Sequence, residues 1–292
     1  MANLKEIRNR ITSVNSTMQI TSAMKMVSAA KLKRAQDAVT QMRPYAEKLQ
    51  EILSNLSSSL DTSENKYAQE RAVKNVLIIG ITSNRGLCGG FNNNIIKKVK
   101  TILSSEYKGC NVSILTVGKK MKDAMKYIDN AKSDDSIYAH PEEIWNDLTF
   151  ANSSKIAEVV MNAYVEGKYD KVVLVYNSFK NAAVQIVKNE QFLPILPPAE
   201  SNSSNATDYI FDPSKEEIVK DLIPNSLKIQ LYKALLDSHA SEHGARMTAM
   251  HQATDNATEL RNSLQLTYNK ARQAAITNEI LEIVGGAEAL NN

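Results

Sequence analysis

The chain has 292 residues, 43% of them apolar and 6% aromatic, with a formal net charge of +3. Two cysteines, Cys88 and Cys110, exclude both a disulfide framework and a zinc ribbon. No run approaches the roughly 18 apolar residues of a membrane span, and the N-terminus shows no apolar signal-peptide core, so a soluble chain in a reducing compartment is expected.

The charge is unevenly spread. Residues 1–48 carry nine Lys/Arg against three acids, a local charge of +6, and the remainder sums to −3. A basic arm of this kind suits nucleic acid, lipid head groups or an acidic protein surface. The arm has no glycine, and its one proline is Pro44. Its apolar spacing alternates three and four through Leu4, Ile7, Ile11, Val14, Met18, Thr21, Lys25, Ser28, Leu32, Ala35, Val39, Met42, Ala46, Leu49, Leu53 and Leu56. That is a heptad track, weakest at Thr21, Lys25 and Ser28. A helix over residues 3–59 would be roughly 85 Å long, against roughly 50 Å for the diameter of a compact globule of this length. Such a helix needs a partner for its stripe, and Pro44 is a candidate kink.

Residues 61–71 are polar and read as a linker. Short apolar runs follow at 73–81, 111–118 and 169–178, with a further strand over 181–195. Helical segments over about 92–107, 119–128 and 150–167 separate them. This alternation predicts a parallel or mixed sheet with helices packed on it. Residues 197–207, rich in Pro, Ser and Asn, read as a loop. A helical pattern resumes after Pro213 and lasts to about Val284, with Pro224 and Gly244 as interruptions and Gly285-Gly286 as a stop. Its own three-four track runs through Ala253, Ala257, Leu260, Leu264, Thr267, Ala271, Ala274, Asn278 and Leu281. The expected fold class is therefore α/β. The N- and C-terminal helices (1–60 and 209–292) form an antiparallel two-helix coiled coil, and a Rossmann-like α/β domain (61–208) is inserted between them.

Three stretches invite chemistry. The glycine loop at 83–94, SNRGLCGGFNNN, follows a strand and precedes a helix, as a phosphate cradle does. It lacks the Lys-Ser/Thr of a P-loop and the spacing of a dinucleotide fingerprint. Gly86, Gly89 and Gly90 read instead as a tight strand-to-helix turn, and Cys88, with no nearby His in sequence, as an apolar filler. HASEH, residues 239–243, fits the inverted zinc-peptidase pattern through His239, Glu242 and His243. It still needs a third ligand, for which His251 and Asp255 are candidates, and a cleft that a rod helix does not offer. The basic arm lacks the stacking aromatics of a nucleic-acid binder, so its charges read as a solvated face or a contact with acidic protein loops.

Taken together, three blocks resemble one family. KEIRNRITSVNSTMQITSAMKMVSAAKLKRAQ (5–36), SNRGLCGGFNNNI (83–95) and residues 241–290, beginning SEHGARM and ending GGAEAL, are similar to the gamma subunit of F-type ATP synthase, in the right order. The resemblance implies a rotor shaft that carries no catalytic residues and needs no cofactor or metal. Its coiled coil would pass through the hexamer of alpha and catalytic beta subunits. Its α/β domain would sit with the epsilon subunit on the c-ring, with no nucleic acid bound and the membrane reached only through partners. By motif, Met24, Lys25, Arg246, Arg272 and Gln273 match the contact with the beta catch loop, although Met24 reads equally well as helix packing. Phe211 and Asp212 match the foot on the c-ring, and Arg85 is a candidate for facing beta at the mouth of the hexamer. The chain lacks the paired-cysteine insert of chloroplast relatives, so a bacterial enzyme on the cytoplasmic face of the inner membrane is implied. The competing readings are a non-rotary coiled-coil scaffold and a zinc peptidase.

Overall fold

A computed structural model of the chain describes residues 4–57, 66–69, 71–128, 131–133, 137–195 and 215–291. The elements in chain order are α1 (Leu4–Ser57), β1 (Asn75–Ile81), α2 (Phe91–Ser105), β2 (Asn111–Val117), α3 (Lys119–Met125), β3 (Ala131–Ser133), a 3₁₀ turn (Pro141–Trp145), α4 (Phe150–Val165), β4 (Lys171–Phe179), β5 (Gln185–Leu193) and α5 (Lys215–Asn291). They form two compact units, one of residues 1–28 with 247–292, the other of residues 29–246.

In the first unit the start of α1 lies against the end of α5. Lys25 Nζ meets His251 Nδ1 at 3.3 Å, Thr254 Oγ1 donates to Thr21 Oγ1 at 2.8 Å, and Thr258 Oγ1 donates to Met18 Sδ at 3.4 Å. Numbers fall along one helix as they rise along the other, so the pair is antiparallel. Every position of the α1 track whose side chain is described is buried or half-buried, including Thr21, Lys25 and Ser28. Thr21 and Ser28 are tolerated there because each hydroxyl bonds a carbonyl one turn back, Met18 O at 3.1 Å and Met24 O at 2.7 Å.

The α5 seam differs from the expected track. Ala257, Leu264 and Ala271 face inward, but Leu260, Thr267, Ala274, Asn278 and Leu281 are exposed. The inward line instead passes through Met250, Thr254, Arg261, Tyr268 and Ala275. Its spacing is still heptad; alternate positions are shifted by one residue. Long side chains such as Arg261 can cover a seam with their stems while the charged head stays in water, and here Arg261 Nη1 reaches Met18 Sδ at 3.9 Å.

The second unit holds a five-stranded sheet in the order β3-β2-β1-β4-β5. The first four strands are mutually parallel and β5 runs antiparallel to β4. β1 is central, and its alternate residues feed two cores, as a strand buried on both faces must. Leu77, Ile79 and Ile81 join Ile156, Val160 and Tyr164 of α4 and Leu227, Leu231 and Leu235 of α5. Val76 and Ile78 join Phe91, Ile95, Val99 and Ile102 of α2, with Met121 of α3. The β3 strand and the 3₁₀ turn are too short to leave a periodic signal in the sequence.

Neither expected interruption breaks α5, which is helical through Pro224, Gly244 and both Gly285 and Gly286. α1 likewise continues through Pro44. Gly244 is there for proximity: a Cβ on it would lie 3.2 Å from Ala182 Cα and 3.5 Å from Phe179 Cε2, where the β4–β5 hairpin meets the helix. Side chains fasten the same junction. Ser241 Oγ donates to Asn177 O at 3.1 Å, Ser178 Oγ donates to Asp237 Oδ2 at 3.1 Å, and Arg43 Nη2 of α1 donates to Phe179 O at 3.2 Å.

Candidate functional site

The glycine loop closes on itself. Ser83 N and Ser83 Oγ both donate to Asn92 Oδ1, at 3.0 and 3.1 Å, while Asn92 Nδ2 reaches Cys88 Sγ at 3.2 Å. Asn84 bridges outward, its Nδ2 donating to Glu142 O at 3.0 Å and its Oδ1 accepting from Lys119 N at 3.0 Å. Gly89 takes a left-handed φ of 57°, and Gly90 caps α2. Gly86 has an ordinary φ, and its carbonyl is the part the structure uses. Leu87 takes a φ of 61° although it bears a side chain, and that side chain is 64% exposed. Such a conformation costs about 1–2 kcal/mol. Burial pushes the Cys88 thiol up, with Arg246 pulling it partly back, so it is not poised as a nucleophile.

The HASEH stretch is a buried polar chain. Glu242 Oε1 accepts from Arg246 Nη2 at 2.8 Å. Arg246 Nη1 approaches His243 Nδ1 at 3.4 Å, and His243 Nε2 lies 3.1 Å from His239 Nε2. A guanidinium can only donate, so His243 accepts at Nδ1 and carries its proton on Nε2. That proton goes to His239 Nε2, whose ring stacks on Trp145 at 5.8 Å between centroids. Burial holds His239 down to about 4, helped by the charges of Lys31 and Arg246. Burial likewise holds His243 down to about 3, helped by His239, Arg246 and Lys31. Burial raises the Glu242 carboxyl, and Arg246 draws it back down. Among the described residues no group of three or more His, Cys, Asp or Glu is arranged to hold a metal. His251, a candidate third ligand, faces Lys25 instead.

The residues assigned by resemblance are divided by the structure. Met24 and Lys25 are half-buried on α1, and Arg272 and Gln273 are exposed on α5. Arg246 is only 7% exposed, with its guanidinium turned onto the glycine loop: Nη2 donates to Arg85 O at 3.2 Å and Gly86 O at 3.3 Å, and Nε to Gly86 O at 3.4 Å. Phe211 and Asp212 lie outside the described residues. Sequence reading passed over a row of large apolar side chains that α5 leaves in water, Leu266, Ile276, Ile280, Ile283 and Val284. The signal was there, as more apolar residues than one heptad seam can absorb.

The ATP synthase family model matches residues 3–290. Over its full 292 residues the chain is 64% identical to the ATP synthase gamma chain of Christiangramia forsetii and 62% identical to that of Flavobacterium johnsoniae, covering 100% of each. The chain belongs to the ATP synthase gamma-chain family. Among solved structures, one from the Euglena gracilis mitochondrial ATP synthase, in an OSCP/F1/c-ring assembly, matches 98% of this chain and 94% of its own at a TM-score of 0.67 and 22% identity. A chain of the Tetrahymena thermophila central stalk and c-ring matches 80% and 99% respectively, at a TM-score of 0.56 and 25% identity. No helix among the described residues of this gamma chain is long and apolar enough to cross a membrane.

Proposed function

We propose that this gamma chain is the central-stalk rotor of a proton-translocating F-type ATP synthase, coupling c-ring rotation to sequential conformational change in the catalytic beta subunits. The observation that carries this reading is 64% identity over 292 residues, spanning all of this chain and all of the matched gamma chain. The antiparallel helix pair supports it physically. A helix that seals one seam and leaves Ile276, Ile280, Leu281 and Ile283 in water calls for a surrounding sleeve, here the alpha and beta subunits. Met24, Lys25, Arg272 and Gln273 are assigned to the beta catch loop, and Phe211 with Asp212 to the c-ring foot beside epsilon. Exposed pairs of this kind are worth about 1 kcal/mol or less, so they can break and reform in each turn. The chain supplies no catalytic residue of its own and binds no cofactor. It works on the cytoplasmic face of the bacterial membrane, held there by its partners.

Pull-down of the tagged chain from solubilised native membranes, weighed by native mass spectrometry, tests this. One copy with three alpha, three beta, one epsilon and a c-ring is expected; recovery alone or with unrelated proteins overturns it. Replacing Arg272 and Gln273 together by Ala is expected to leave the complex assembled with impaired ATP turnover, and unchanged turnover would remove those two positions from the contact.

A further inference from the structure

The glycine loop is pinned at both feet and exposed at its tip. Asn84 ties one foot to Glu142 and Lys119, and the Ser83–Asn92–Cys88 cluster ties the other. Between them Arg85 is exposed, and Leu87 holds an apolar side chain in water from a left-handed backbone. A strained, non-glycine residue persists where its surroundings over-determine it, and such residues gather at functional sites. The determining group here is Arg246. Its guanidinium is almost fully buried, held by Glu242 on the same helix one turn back, and turns its Nε–H and Nη2 onto the carbonyls of Arg85 and Gly86.

We propose that Glu242 and Arg246 are positioning residues. They fix the carbonyls of Arg85 and Gly86, and so hold the Arg85 and Leu87 side chains outward as a rigid cationic and apolar tip for an acidic protein surface. On this account Arg246 touches no partner; it acts through the loop. The inference rests on the rotor reading only for the identity of that surface, an acidic patch of the catalytic hexamer. Two facts argue for a clamp over plain packing. Arg246 addresses backbone carbonyls, which any loop sequence would present, and its charge is already balanced by Glu242, so nothing is left over to recruit a distant anion.

The test is a double-mutant cycle in the assembled complex, with Arg85→Ala, Arg246→Lys and both together. Lysine keeps a charge beside Glu242 but cannot fork onto two carbonyls. Each single change is expected to lower ATP turnover by up to about a hundredfold, the order that misplacing an acting group brings, and the double change is expected to cost no more than Arg85→Ala alone. Losses that multiply, or an Arg246→Lys enzyme with full turnover, overturn the clamp. Hydrogen exchange of the isolated full chain gives a reading independent of the complex. Arg246→Lys should speed exchange at residues 85–90 and leave β1 protected, and an unchanged loop overturns the proposal. If the wild-type chain captures no alpha or beta, the rotor reading fails while this exchange result still decides the clamp.

Discussion

Gly118 illustrates how tightly single residues are constrained at the ends of the strands. It takes a φ of 128°, and a Cβ there would lie 2.1 Å from Thr82 O. Both the dihedral and the collision forbid a side chain, so Gly118→Ala is expected to destabilise the chain by about 2–4 kcal/mol, measured by urea unfolding. The buried histidines make a second residue-level prediction. An imidazole titrates near 6.5 in a free chain, but the fold holds His239 at about 4 and His243 at about 3. The folded state therefore binds fewer protons than the unfolded state between these values. The stability tied to the neutral pair is complete above pH 6.5 and is lost as pH falls through about 4 for His239 and about 3 for His243. The melting temperature should drop over that window, and replacing both histidines by Gln should flatten the drop. An unchanged slope would mean that the pair does not titrate on unfolding.

At the scale of elements, α5 serves two environments with one helix. Its first half lies on the sheet, where Leu231 is fully buried among Leu77, Leu174 and Tyr164. Truncating Leu231 to Ala should cost about 2–5 kcal/mol, visible as a lower unfolding midpoint. Its end behaves oppositely. Gly285 and Gly286 are helical with open space around them, so nothing in the packing requires glycine. Replacing either by Ala should favour the helix by about 1 kcal/mol and slow amide exchange in the last turns. Faster exchange there would show that the glycines do end the helix. Helix-breaking residues thus have three different outcomes in α5: Pro224 is accommodated within the helix, Gly244 lets the nearby hairpin approach closely, and the terminal pair is simply carried along.

For the whole molecule, the informative feature is the apolar surface that α5 leaves exposed among the described residues. Ile276 and Ile280 are 48% and 54% exposed. Changing both to Ser should move the stability of the isolated chain by no more than about 0.5 kcal/mol per site, yet weaken assembly with the alpha and beta subunits, read as a loss of intact complex by native mass spectrometry. Equal destabilisation of the free chain would mean that these side chains serve its own fold. The same contrast separates a rotor from a stand-alone scaffold, because a shaft is finished only by its sleeve.

Much of this was determined by the sequence alone. The heptad track of α1 is a local property, and it held even at Thr21 and Ser28, because small hydroxyls can bond their own helix, and at Lys25, whose ammonium reaches His251 on the facing helix. The alternation of strands and helices likewise followed from local runs, and the family followed from the end blocks. What tertiary structure decided was long-range. On α5 the chain offers more apolar residues than one seam needs, so only the partner helix could choose Arg261 and Tyr268 over Leu260 and Thr267. Gly244 looked like a weak point because propensity does not register the hairpin beside it. Arg246 looked like a surface contact because a motif gives a residue's place in the chain and not the direction of its side chain. Its partners, Arg85 and Gly86, lie some 160 residues away in sequence, and only folding brings a guanidinium to carbonyls at that distance.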